Sequence, residues 1–165
     1  MSHTPTQPLT VAAAVARAAQ RLSSAGLAFG HGTTNAEDEA AWLVLWRLGL
    51  PLDSDLSDAP DSTAHRNVTA EEAAAVDALI DQRIQTRKPA AYLTHEAWLQ
   101  GVPFYVDERA IVPRSFIAEL LADGSIDDVL GEHTRRVLAL CTGNGSLAIL
   151  AAMAYPEVEV TGADC

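Results

Sequence analysis

The segment from Arg136 to Asp164 restricts the possible folds of this chain more than any other. A short apolar run to Cys141 leads into the turn Thr142-Gly-Asn-Gly145, a run of small and apolar residues follows, and a β-favouring run from Val158 ends at Asp164. These run lengths predict a buried strand, a tight turn, a helix and a second strand. A helix that joins two strands in this way forms a parallel β-α-β unit, so the segment predicts the start of a doubly wound α/β sheet.

The glycine turn and the terminal acid have the spacing of a nucleoside-cofactor site. Gly143 and Gly145 have no side chains, so cofactor atoms can approach the backbone and the turn can adopt dihedral angles that a Cβ would forbid. Asp164 lies 19 residues after Gly145, the spacing at which a carboxylate accepts hydrogen bonds from ribose hydroxyls. Gly143-x-Gly145-x-x-Ala148 also fits the dinucleotide fingerprint. Spacing alone therefore leaves NAD and S-adenosylmethionine open, as well as a glycine turn that binds neither.

The first half of the chain has the pattern of a small helical unit. Thr10 can cap a first helix and Asn35 a second, and Thr69 with Glu72 forms a capping box for a third. Apolar residues recur at helical spacing after each cap, and Lys88-Pro89 forces the third helix to end. We divide the chain into a helical domain over residues 1–88, a linker over 89–113 and the start of a cofactor-binding domain over 114–165.

The linker has short β-favouring runs in place of helical spacing. Ala97–Leu99 and Val102–Val106 flank the turn Gln100-Gly101 and predict a hairpin, with Ala110–Pro113 as a further extended run. Ser115 can then cap a short helix before a loop rich in Gly and Asp.

Composition narrows the classes of partner. The 165-residue chain carries 22 acidic and 11 basic side chains, and its formal charge of −11 argues against direct binding to nucleic acid or an anionic membrane and suits a basic protein. Cys141 and Cys165 are too few and too far apart for a disulfide framework or a zinc site, which favours a reducing compartment. The apolar stretch Leu9–Ala19 is too short to span a bilayer and lacks a basic lead-in. We therefore expect a cytoplasmic protein without a metal.

Six motifs are spread along the chain: Phe29-Gly-His-Gly-Thr-Thr-Asn35, Asp38-Glu-Ala40, Ala90-Ala-Tyr-Leu-Thr94, Phe104-Tyr-Val-Asp-Glu-Arg109, Val112-Pro-Arg-Ser115 and Leu140-Cys-Thr-Gly-Asn-Gly145. In order and spacing they resemble the ribosomal protein L-three glutamine methyltransferase family, which is related to the release-factor glutamine methyltransferases. The resemblance covers essentially the whole chain. Within it, the motifs that begin at Phe29 and Val112 favour the ribosomal branch.

This resemblance implies an α/β fold: a small helical substrate-recognition domain, a β-hairpin linker and the beginning of a class I, Rossmann-like methyltransferase domain. It implies transfer of a methyl group from S-adenosylmethionine to the side-chain amide nitrogen of a glutamine, in a Gly-Gly-Gln setting of a large-subunit ribosomal protein. The glycine loop would hold the methionine part of the cofactor, Asp164 would hold its ribose, and Arg114 is a candidate near the site. The loop residues so implied are Cys141, Thr142, Gly143, Asn144 and Gly145.

Two departures from the family pattern affect this expectation. Ala139 stands where the family generally has an acid on the first strand, which predicts weaker cofactor binding. The family's Asn-Pro-Pro-Tyr motif, which binds the glutamine amide, does not occur before the sequence ends at Cys165, so we expect an inactive fragment without catalytic residues of its own. The alternatives are an NAD-dependent oxidoreductase fragment, a release-factor glutamine methyltransferase, and a non-catalytic module whose helical half binds ribosomal protein.

Overall fold

A computed structural model describes residues 8–131 and 133–164, and its contacts divide the chain into two compact units at the Thr94–His95 junction. The first unit contains helices α1 (Val11–Ser24), α2 (Ala36–Arg47), α3 (Ala70–Thr86) and α4 (Ala90–Thr94), and a short 3-10 helix (Thr63–His65). The second contains β1 (Glu96–Leu99), β2 (Val102–Tyr105), α5 (Phe116–Asp123), β3 (Arg136–Leu140), α6 (Ser146–Ala154) and β4 (Glu159–Ala163).

The three predicted helix starts of the first unit are confirmed by their caps. The hydroxyl of Thr10 accepts from Ala13 N–H at 3.2 Å, and the Asn35 side chain accepts from Asp38 N–H at 2.8 Å. At α3 the capping box between Thr69 and Glu72 is closed in both directions. Local hydrogen bonds of this kind depend on residues three positions apart, which is why the sequence could locate them.

A buried ion pair holds the helical unit together beside its apolar core. Arg83 of α3 donates from Nε to Glu39 of α2 at 2.8 Å, and their side chains are only 2% and 3% exposed. Arg83 also donates to the Ala28 carbonyl at 3.2 Å, and Thr33 donates to the other oxygen of Glu39 at 3.0 Å. The pair therefore fixes the glycine-rich loop between α1 and α2, in which His31 is an exposed turn residue.

The second unit begins with the predicted hairpin. Strands β1 and β2 pair antiparallel, with Glu96 opposite Tyr105 and Leu99 opposite Val102. The turn residues Gln100 and Gly101 have φ of 49° and 72°, as a tight two-residue hairpin loop requires. The core of this unit packs side chains from β2, α5 and α6 together, namely Phe104, Ala118, Leu121, Leu150 and Ala151.

Strands β3 and β4 lie parallel and are joined through α6, which confirms the predicted β-α-β unit. The prediction that β3 is buried is wrong. Its residues alternate between partial burial and exposure, and Leu138 and Leu140 are 58% and 70% exposed. The reason is that α6 packs on the face that contains Val160, whereas the face with Leu138 and Leu140 is open.

Two other local predictions in the middle of the chain were wrong. Residues 110–113 are not a strand, because Ala110 N–H bonds back to the Asp107 carbonyl at 3.1 Å in a turn, and Pro113 has no N–H to offer a strand partner. The linker over 89–113 was expected to have β-favouring runs in place of helical spacing, but Ala90–Thr94 forms α4. Pro89 directly precedes this helix, and its carbonyl accepts the first hydrogen bond, from Tyr92 N–H at 3.0 Å.

The three-part division of the chain at residues 88 and 113 remains a prediction. The observed junction assigns residues 89–94 to the helical unit and residues 95–113 to the second unit. Within the described part of the chain, no helix combines the length and apolar character needed to cross a bilayer.

Candidate functional site

The glycine loop lies between β3 and α6 and has three residues in the left-handed region. Cys141, Gly143 and Gly145 have φ of 53°, 56° and 83°. Thr142 N–H donates to the Ala163 carbonyl of β4 at 3.1 Å, and Gly145 N–H donates back to the Thr142 carbonyl at 2.9 Å. The loop is therefore a tight bend, anchored to the neighbouring strand, in which glycine avoids the strain that a side chain would meet.

Asp164 follows β4 and reaches the glycine loop directly. Its Oδ2 accepts a hydrogen bond from Gly143 N–H at 2.8 Å. The carboxyl ends of parallel neighbouring strands lie at the same edge of a sheet, so the residue after β4 comes next to the loop after β3. The acid and the glycine bend are thus brought together, as the sequence predicts; that they bind a cofactor remains a prediction.

The space beside the two glycines is open. A Cβ placed on Gly143 or Gly145 would meet no atom within 4 Å, apart from its own chain neighbours. A ligand can therefore approach the loop backbone closely on that side. Gly145 is the N-cap residue of α6 and offers no side chain to cap it, whereas the Asn144 Oδ1 accepts from Ser146 N–H at 3.3 Å.

A cavity of about 520 Å³ lies between the hairpin and the glycine loop of this unit. Gly143, Asn144 and Ile149 form one wall, and residues 103–107, 109 and 110 form the other. Within the second wall, Arg109 donates to the carboxylate of Asp107 from Nε at 2.9 Å and from Nη2 at 2.7 Å. These bonds from the guanidinium, aided by the backbone N–H of Arg109, hold the pKa of Asp107 well below its usual range. Asp107 is therefore a structural anion in this wall.

The other residues predicted at or near the site differ in their exposure and contacts. Cys141 is a free, exposed thiol at the start of the bend. The Thr142 hydroxyl is buried without a hydrogen-bond partner. It lies against Gly162 of β4, where an added Cβ would be only 3.2 Å from it. Ala139, in the position of the missing acid, pairs with Gly162. Arg114 is exposed in the segment before α5, and its place near the site remains a prediction.

The contribution of the hairpin to this region was not predicted from the sequence. The Tyr105 carbonyl accepts from Asn144 Nδ2 at 3.2 Å, across 39 residues of sequence. The Asp107-x-Arg109 pair could have been read from its opposite charges two residues apart, but nothing local in the sequence relates either residue to the glycine loop. Among residues 8–131 and 133–164, no cluster of His, Cys, Asp and Glu could hold a metal ion.

Comparison with known proteins relates the chain to one group of enzymes. No protein-family model matches it. The ribosomal protein uL3 glutamine methyltransferase of Burkholderia pseudomallei is 51% identical over 172 aligned residues, which cover 99% of this chain and 52% of that protein. Proteins of the same name from Bradyrhizobium diazoefficiens and Bordetella pertussis are 48% and 49% identical over 87% and 89% of this chain. The chain spans about half the length of these curated relatives.

Proposed function

We propose that this chain, as a homologue of the uL3 glutamine methyltransferases, forms the substrate-recognition unit and the first part of the cofactor site of an S-adenosylmethionine-dependent protein-glutamine N5-methyltransferase. The observation that carries the proposal is the hydrogen bond at 2.8 Å between Gly143 N–H and the Asp164 carboxylate. It puts a carboxylate beside a bend that is open at its two glycines and lies at the edge of a parallel sheet, which is where such folds bind nucleosides.

The residues of the loop fit an adenosine-bearing methyl donor. The open space beside Gly143 and Gly145 admits the donor to the backbone, and Asp164 can accept hydrogen bonds from ribose hydroxyls. Bound S-adenosylmethionine would supply an electrophilic methyl group for the glutamine amide nitrogen, with S-adenosylhomocysteine as the leaving group and loss of one proton from that nitrogen. The contribution of this chain is to hold and orient the donor, which is a major source of rate in such displacements.

The substrate we propose is a glutamine side chain, in a Gly-Gly-Gln setting, of a large-subunit ribosomal protein. The names of the relatives specify uL3. A formal charge of −11 suits a basic protein of the kind that binds ribosomal RNA, and gives long-range attraction to it. In this proposal the helical unit contacts the ribosomal protein, and the glycine loop and Asp164 bind the methyl donor.

Mass spectrometry of ribosomal proteins tests this function. Ribosomes are purified from cells with and without the complete gene that encodes this sequence, and uL3 peptides are compared. We expect one added methyl group on a glutamine that is present with the gene and lost without it. An unchanged uL3 glutamine in the deletion strain contradicts the proposal. Loss of methylation from a release-factor glutamine instead assigns the chain to the release-factor reaction.

A second candidate is an NAD-dependent oxidoreductase, because Gly143-x-Gly145-x-x-Ala148 lies at a strand-turn-helix junction as the dinucleotide fingerprint requires. The identities of 48 to 51% to proteins named as methyltransferases favour the first candidate. Direct binding of the two cofactors separates them.

A further inference from the structure

The side chain of Asn144 joins the glycine loop to the hairpin. Its Nδ2 donates to the carbonyl of Tyr105 at 3.2 Å, and its Oδ1 accepts from Ser146 N–H at 3.3 Å. Tyr105 is the last residue of β2, and Ser146 is the first residue of α6. One side chain thus contacts the end of a strand and the start of a helix at the same time.

Backbone pairing does not join these two parts of the unit. The hairpin strands and the β3–β4 pair form separate two-stranded sheets. Their relative position therefore depends on side chains, through packing in the shared core and through this amide. Asn144 is suited to this task because an amide carries both a donor and an acceptor, and both are used here.

The link lies in the wall of the 520 Å³ cavity. Tyr105 and Asn144 both line that cavity, as does Gly143, whose N–H binds Asp164. The link therefore connects the hairpin wall to the loop wall of this cavity. Any ligand that contacts the loop on this side occupies a space whose width the link helps to set.

We propose that Asn144 is a positioning residue that couples the hairpin to the glycine loop, so that a ligand bound at the loop also stabilises the hairpin. The identity of that ligand as S-adenosylmethionine rests on the function proposed above, whereas the coupling itself does not. Asn144→Asp is the informative substitution, because a carboxylate keeps the acceptor for Ser146 N–H but turns an oxygen towards the Tyr105 carbonyl.

Hydrogen–deuterium exchange of the ligand-free chain tests the coupling. We compare the wild type, Asn144→Asp and the control Gln100→Glu, which adds the same charge at the exposed turn of the same hairpin. We expect Asn144→Asp to speed exchange about fivefold in residues 102–106 and in residues 141–146, because one neutral hydrogen bond is lost. We expect no such change in either segment of Gln100→Glu. Unchanged exchange over residues 102–106 in Asn144→Asp overturns the inference, and so does an equal effect of the control.

Addition of S-adenosylhomocysteine to the protein from the complete gene separates this inference from the proposed function. We expect slower exchange in the loop and the hairpin of the wild type, and in Asn144→Asp slower exchange in the loop but not in the hairpin. Protection of the wild-type loop without the hairpin overturns the inference. If neither the loop nor the hairpin of the wild type is protected, the proposed cofactor is contradicted. The comparison of exchange without ligand then tests the coupling by itself.

Discussion

Glu39→Gln is the substitution that best tests the role of the buried ion pair in the helical unit. It keeps the size of the side chain and removes its charge, so the Arg83 guanidinium, 2% exposed, retains the Ala28 carbonyl at 3.2 Å and an uncharged amide as partners. An uncompensated buried charge costs about 3 to 5 kcal/mol, against a total stability of about 5 to 15 kcal/mol for a typical domain. We therefore expect Glu39→Gln to lower the free energy of unfolding of the helical unit by about 3 to 5 kcal/mol.

The assay is urea unfolding followed by tryptophan fluorescence. In a Trp98→Phe background, Trp42 and Trp46 report on the helical unit, because Trp98 is the tryptophan of the hairpin. The free energy of unfolding is taken from the linear dependence on urea. Replacement of both charged residues by apolar ones, in Glu39→Met with Arg83→Met, should cost much less than Glu39→Gln alone, since an apolar replacement of a buried pair is often nearly neutral.

Asp77→Asn is the matched control for this experiment. It makes the same change of carboxylate to amide at an ion pair whose acid is 39% exposed and which joins α3 to Arg17 and Arg21 of α1. Exposed pairs contribute about 0.2 to 1 kcal/mol each, so the control, which affects two pairs, should lose no more than about 2 kcal/mol. A loss in Glu39→Gln no larger than the loss in Asp77→Asn refutes the reasoning.

Three further predictions concern single side chains. Thr69→Ala removes the capping hydroxyl of α3 and should lower the free energy of unfolding by about 1 kcal/mol in urea, whereas no change would contradict the role of the cap. Gly162→Ala would place a Cβ 3.2 Å from the Thr142 hydroxyl, so we expect a lower melting temperature that recovers when Thr142→Ala is added; equal stability of the single and double variants in thermal unfolding would refute the contact. The hydrogen bond from Tyr155 to Asp127 raises the pKa of Tyr155 from 10 to about 12, so the folded state favours the protonated phenol. Its contribution to the stability of the folded state is complete below pH 10 and is lost as the pH rises through about 12. Ultraviolet titration, with Tyr155→Phe to assign the signal, should show that the Tyr155 phenol ionises near pH 12, and an ordinary tyrosine pKa would contradict the prediction.

The sequence could predict those features that depend on near neighbours. The caps at Thr10, Asn35 and Thr69 require partners three residues away, and each was found where expected. The contact between Gly143 and Asp164 spans 21 residues, yet it was predictable because parallel strands joined by a helix bring their carboxyl ends to one edge.

The features that sequence could not predict depend on distant partners or on what covers a surface. Arg83 lies at helical spacing with the apolar residues of α3, and its carboxylate partner Glu39 is 44 residues earlier in the sequence. The apolar pattern of β3 cannot reveal that Leu138 and Leu140 face open space. The link from Asn144 to Tyr105 joins two separate sheets, so no periodicity in either segment contains it.

Calorimetric titration of the protein from the complete gene, with S-adenosylhomocysteine and with NAD, tests the central claim most directly. We expect S-adenosylhomocysteine to bind and NAD not to bind. Hydrogen bonds to a charged group contribute about 1.5 to 3 kcal/mol, so Asp164→Ala should weaken S-adenosylhomocysteine by about tenfold or more. Binding of NAD without S-adenosylhomocysteine, or an affinity for S-adenosylhomocysteine that is unchanged in Asp164→Ala, would contradict the assignment of the glycine loop and Asp164 to a methyl donor.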